Sequence, residues 1–411
     1  MEELIRSQMH DALDVEAPPP HLRAHVMDSL PVGPQARRPA STPMQMTGQW
    51  AAGVVATLLA AAIIVGLLYS RGLIGPVPVR SQPAPPAGLI SPEGVAVASD
   101  GSVYVSDFLG DRVFKLKPDG RVGVFAGGGV DGDGPATKAW LNHPAGVALD
   151  GAGNLYIADA TGGTIRRVDG RGIISTLVDA GNVMHAYGLM SVAVDSSGDV
   201  WVSEFYGSVH RVDATGSGST LDLSLLPAPN WLPGYMAFDS ASNLYVSDRA
   251  PGTSDNPIYQ TQIGGGCRIV RFSPDKKLSV IAGTGVCGYS GDGGPAVSAQ
   301  LNDPSGIAFD SAGNLYFGDS NNHRIRRIDR NGIITTVAGT GVAGYGGDHG
   351  PANAAQLEYP YGVGITSSGL LYFSDASCSC WSPSTPGRVR VIDLSTGKIT
   401  TVMDGQTPVK S

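Results

Sequence analysis

Three sets of side chains in this 411-residue chain have the types and spacing to do chemistry. The first is six acids, Asp107, Asp159, Glu204, Asp248, Asp319 and Asp375, each ending a short run such as VYVSD, LYIAD or LYFGD. Six carboxylates converging on one axis would suit a hard cation held by oxygen ligands. A residue present in every copy of a repeat serves every copy, so these acids are expected to be structural, accepting backbone N–H bonds at a turn, rather than to hold a cation. The second set is the histidines His143, His185, His323 and His349. Imidazole is a common zinc ligand, but a catalytic site needs about three convergent protein ligands. The third set is aromatic: Tyr187, Trp231, Tyr235, Tyr359 and Tyr361. Together with His143 they form the candidate ligand-binding group, because amphipathic rings at a pocket mouth suit a peptide or a sugar. Ordinary packing between loops would use the same residues.

What positions these side chains is a repeat. The segment from Gly283 to Asp319 returns as Gly339 to Asp375, and a looser copy spans Gly127 to Asp159. Self-similarity at a period of roughly 45 to 55 residues marks a repeat architecture. Aligned on x-Pro-x-Gly-Val-Ala-x-Asp, six copies begin near Leu89, Leu141, Ala186, Asn230, Leu301 and Leu357. Each reads as four strands. A short apolar strand (GVALD, GIAFD) is followed by a tight turn and an aromatic, β-branched strand. An arginine-bearing strand (TIRRVD, RIRRID) and an apolar strand (IISTLV, IITTVAG) complete the unit. Six four-stranded units predict an all-β, six-bladed β-propeller over residues 89–405, with residues 406–411 as a tail. A β-sandwich would not explain the repeat. The ring is expected to close end to end, or through a strand from Pro76 to Arg80.

Before the propeller, residues 1–49 read as a short, partly helical or disordered tail. Trp50 to Tyr69, WAAGVVATLLAAAIIVGLLY, is uncharged and long enough to cross a hydrocarbon core of about 30 Å as one transmembrane helix. Residues 70–88 are a proline-rich spacer. The span starts too far from Met1 for a cleaved signal peptide, so it is expected as a signal-anchor. The flanking arginines and the cysteines, all of which follow the span, lean toward a cytoplasmic N-terminus and an extracytoplasmic propeller. Partners of a membrane and of a protein, peptide or glycan are expected. A net charge of −8 argues against nucleic acid, which requires clustered Lys and Arg.

The blade residues resemble the NHL-repeat family from about Leu89 to Gly405. The fifth unit, GIAFDSAGNLYFGDSNNHRIRRID, carries the family's Asn322-His323 pair. The glycine-rich insert GDGGPAVSAQL is similar to inserts of bacterial NHL proteins and of the teneurin NHL propeller. The resemblance implies the fold and leaves function open among sensor domains, adhesion-type binding domains, RNA binders and a few metal-dependent enzymes. A hydrolase or lyase of the lactonase or amidating-lyase type is therefore the alternative to a binding or sensing module. In the amidating-lyase pattern three channel histidines hold zinc. The corresponding positions here are Ser91, His143, Gly188, Leu232, Asp303 and Tyr359, so no metal, cofactor or catalytic residue is assigned. The inserts lack the ligand spacing of a calcium loop and the Gly-Lys-Ser/Thr of a phosphate loop. Cys267, Cys287, Cys378 and Cys380 allow three pairings, of which Cys267–Cys287 would pin the loop leading into the fourth unit's third strand.

Overall fold

The computed structural model describes residues 88–179, 188–205, 207–213, 217–221, 232–249, 266–376 and 386–407. They form six sheets arranged as a ring, each with four blade strands in chain order from the axis outward, the second sheet adding Gly134–Pro135 as a fifth, outermost strand. Strand one of the blades runs Pro92–Val97, Pro144–Leu149, Leu189–Val194, Pro233–Phe238, Pro304–Phe309 and Pro360–Ile365. Among the described residues no helix is long and apolar enough to cross a membrane. The expected tail, the span Trp50 to Tyr69, the spacer and the alternative closing strand at Pro76 to Arg80 lie outside the described residues.

The near-continuous apolar strands are explained by burial on both faces. Leu155 and Ile157 of blade two pack with Val113 and Ala126 of blade one, while Tyr156 and Ala158 pack with Val192 and Val202 of blade three. Polar bonds reinforce these seams. Ser203 Oγ donates to Gly234 O at 2.6 Å, from blade three to blade four, and Ser374 Oγ donates to Glu93 O at 2.7 Å, from blade six to blade one. The second of these closes the ring. Gly387 N also donates to Ile90 O at 2.9 Å, and Leu89 shares a core with Val389 and Met403. Closure is therefore end to end, with each blade's four strands drawn from one continuous stretch of chain.

The glycine of x-Pro-x-Gly has a steric cause. A Cβ at Gly94 would stand 2.6 Å from Ala145 O, and one at Gly146 would stand 2.5 Å from Ser191 Cα. In each case the obstacle is the next blade's strand one, so the innermost strands approach as closely as they do only without a side chain there.

The three inserts fold over the outer edge of the blade that follows them. Gly134–Pro135 pairs with the fourth strand of blade two, Pro295 bridges to Ile333 and Pro351 to Lys398. A short turn of 3₁₀ helix then buries Ala136, Ala296 or Ala352. Open sheet edges are templates for unwanted pairing, and the inserts cover three of them. A disulfide joins Cys267, at the start of strand three in blade four, to Cys287 in the insert that follows. Cys378 and Cys380 lie outside the described residues.

A candidate binding site at the channel mouth

The six acids stand where strand two ends, and each is buried. Asp107, Asp159, Asp248, Asp319 and Asp375 accept the N–H of Ser91, Asn142, Leu232, Asn302 and Glu358 at 2.6–3.2 Å, fastening the entry to strand one. Glu204 instead accepts from His210 Nε2 at 2.8 Å. None of the six lines the central cavity. Among the described residues no three His, Cys, Asp or Glu side chains gather as a metal-ligand set. The acids are dispersed through the blades.

A second tier of bonds holds the inserts. The residue facing the middle of strand two is Arg166, Arg326 and Arg390 in blades two, five and six, and Phe114, His210 and Val270 in the others. Only the blades preceded by an insert carry arginine there. Each guanidinium links the strand-two acid to an insert aspartate: Asp133, Asp292 or Asp348.

Burial lifts the carboxyls of Asp159 and Asp319 to about 6, and those of Asp248 and Asp375 to about 7. At Asp248 burial outweighs the lowering influence of Leu232 N–H, Arg268 and Gly266 N–H. Its folded value thus exceeds the unfolded value of about 3.9, so its contribution to stability is complete below about pH 4 and lost as pH rises to about 7. Asp248→Asn is expected to flatten the decline of stability between pH 5 and 8 by roughly 2 kcal/mol. Urea midpoints across that range would show it, and parallel curves for the two proteins would contradict it.

The channel itself encloses about 240 Å³ and is lined by strand one of all six blades. At its mouth the chain departs from its own repeat. Glu93 takes the place held by Ala145 and Ser305, and Arg249 the place held by Ala160, Ser320 and Ala376. Tyr235 replaces the glycine, within the register shift that strand one makes against strand two in every blade. Here Tyr235 Oη donates to Glu93 Oε1 at 2.8 Å, bridging blades one and four, which stand opposite each other in the ring. Arg249 Nε donates to Asp303 Oδ1 at 3.2 Å, with Met190 Sδ 3.1 Å from its Nη1 and Phe205 under the guanidinium at 5.2 Å. Met190, Tyr235 and Tyr361 pack together with Tyr359 beside them. Tyr359 stacks on Tyr361 at 6.3 Å and meets His323 edge-on at 5.0 Å. Burial raises the Glu93 carboxyl above its ordinary range. Tyr235 and Arg249 act against that rise, and Asp303 adds to it.

Of the expected ligand-binding residues, the structure brings together Tyr235, Tyr359 and Tyr361. His143 lies with its ring 4.8 Å from Phe108 and hydrogen-bonded to Asn142 and Thr161. Tyr187 and Trp231 fall outside the described residues, as does His185. Glu93 and Arg249 are not among the expected residues; the signal that marks them in the sequence is that Ala145 and Ala160 stand at the equivalent places of blade two.

Comparison with known proteins agrees with this architecture. The family model for the teneurin NHL domain matches residues 128–190 and 181–345, more than half of the chain. Human teneurin-1 is 36% identical over 159 residues, covering 37% of this chain and 5% of that protein. Human teneurin-4 is 28% identical over 311 residues, covering 67% of this chain and 10% of that protein. The chain thus spans a small part of the curated relatives it matches. Among solved structures, a protein of unknown function from Bacteroides thetaiotaomicron aligns with TM-score 0.54 at 19% identity, over 70% of this chain and 67% of that one. An auxiliary nutrient binding protein from the same organism aligns at 0.51 and 15% identity, over the same shares. These likenesses concern the fold. With the teneurin NHL match added to six closed blades and the Asn322-His323 signature, the chain belongs to the NHL-repeat propeller family.

Proposed function

We propose that the propeller is a binding or sensing module that docks a protein, peptide or glycan at the mouth of its channel. One observation carries this reading. The residues that break the repeat, Glu93, Tyr235, Arg249, Tyr359 and Tyr361, gather at one end of the axis in a network no single blade needs for folding. Tyrosine offers a broad apolar face with a polar tip, and a half-buried arginine adds a directional donor, the combination that anchors recognition surfaces. Arrayed peptides and glycans probed with the full chain are expected to return a retained class whose retention falls at least about tenfold in Tyr359→Ala. No retained class, or equal retention by a folded variant, would contradict the reading.

The module is proposed to stand outside the cytoplasm on the helix Trp50 to Tyr69, with residues 1–49 inside and residues 70–88 as spacer. The uncharged length of that run supports the span, and the flanking arginines and the cysteines that all follow it support the orientation. An alkaline phosphatase fused after Ser411 is expected to be active. Activity only from a cytoplasmic reporter at the same position would contradict the orientation.

A further inference from the structure

We infer that the mouth is selective for a cation: it takes the side chain of a lysine or arginine, or a primary amine, which pairs with Glu93 while its carbon stem packs on Tyr359, the partly exposed ring over the buried Tyr235 and Tyr361. This rests on the mouth being a binding site and names the chemistry it accepts. Among the described residues three charged groups face the site: Glu93 from blade one, Arg249 from blade four and Asp303 from blade five. Arg249 and Asp303 are already bonded to each other at 3.2 Å, and the Asp303 side chain is only 6% exposed. That pair is nearly self-compensated. Glu93 is left with a neutral phenol, Tyr235, as its hydrogen-bonded partner. With Glu93 ionised the mouth carries two acids against one base.

A half-buried carboxylate so placed is stabilised by an entering cation, whereas an entering anion would face two resident acids. The rings point the same way. Tyr235 and Tyr361 are packed together and buried, and the partly exposed Tyr359, stacked on Tyr361, offers the kind of aromatic surface that attracts ammonium and guanidinium groups. Among the described residues an acidic ligand would have Arg249 alone for a counter-ion, and would compete there with Asp303.

The test uses the full chain and four probes, acetyl-Gly-Xaa-Gly-amide with Lys, Arg, Glu or Leu at the centre, titrated calorimetrically at low salt. The lysine and arginine probes are expected to bind at least about tenfold tighter than leucine, with glutamate weakest. Glu93→Gln is expected to erase that preference while keeping the wild-type melting temperature. In the unmutated protein, affinity for the lysine probe is expected to fall as acid protonates Glu93. This second readout does not depend on the variant's folding. Equal affinities, a preference for glutamate, no saturable binding of the lysine and arginine probes at millimolar concentration, or a pH-independent lysine affinity would each overturn the inference. A glutamate or leucine preference abolished by Tyr361→Ala would sink the cation while leaving the mouth as a binding site.

Discussion

Replacing Arg326 by methionine is expected to destabilise the propeller by about 3–5 kcal/mol, the cost of breaking a buried ion pair from one side. The side chain is fully buried, and its two terminal nitrogens serve four acceptors. Nη1 donates to Gln300 O at 3.2 Å and Asp319 Oδ2 at 3.3 Å; Nη2 donates to Ser290 O at 3.0 Å and Asp292 Oδ1 at 2.8 Å. Methionine fills much of the volume and satisfies none of them. Asp319 would be left buried without its cation, and two insert carbonyls would lose a donor. The partners are the insert and the strand-two turn, so the loss should first appear as faster proteolysis within residues 283–300. Arg171→Ala sets the scale. Its guanidinium is 84% exposed and pairs with Asp169, so the change should cost well under about 1 kcal/mol. Urea denaturation of the three proteins would decide the matter; a loss below about 1 kcal/mol at Arg326 would contradict the role assigned to it.

Gly362→Ala is expected to cost about 3 kcal/mol, and Gly362→Val to prevent folding. Gly362 lies on strand one of blade six, against the first strand of blade one. A Cβ there would press on Glu93 O and stand 2.7 Å from Val95 N and 3.0 Å from Gly94 C. All three obstacles are backbone, so no rotamer change relieves them. The strain falls on the seam that closes the ring, beside Tyr361, so ligand retention should fall along with stability. Gly151 is the control: nothing lies within 4 Å of a Cβ there, and alanine should be nearly neutral. Thermal unfolding and array retention of the two variants would check this. A Gly362→Ala protein as stable as the Gly151→Ala protein would show that the blades do not meet as described.

Most of the fold was legible because the repeat states it six times. Alternation in strand two, with Leu155 and Ile157 set against Tyr156 and Ala158, already indicates two neighbouring blades, and both faces are filled that way. The arginine of strand three was visible in TIRRVD and RIRRID, but its purpose was not. It becomes clear only on seeing that Arg166, Arg326 and Arg390 occur where an insert must be held. The mouth was half legible. Tyr235, Tyr359 and Tyr361 stand out as departures from small or polar residues, since a blade does not require them. The bond from Tyr235 to Glu93 could not be read in advance. It joins residues 142 positions apart, and they face each other only because six blades close the ring. With five or seven blades, blades one and four would no longer stand opposite.

A ligand docked as proposed sits on the axis, over strand one, and away from the inserts. Hydrogen exchange of the full chain, with and without a probe retained from the arrays, tests it most directly. The account predicts slowed exchange at residues 90–95, 232–238 and 359–363, where the mouth side chains are anchored. Protection confined to the inserts at 127–140, 283–300 and 339–356, with the mouth unchanged, would contradict it.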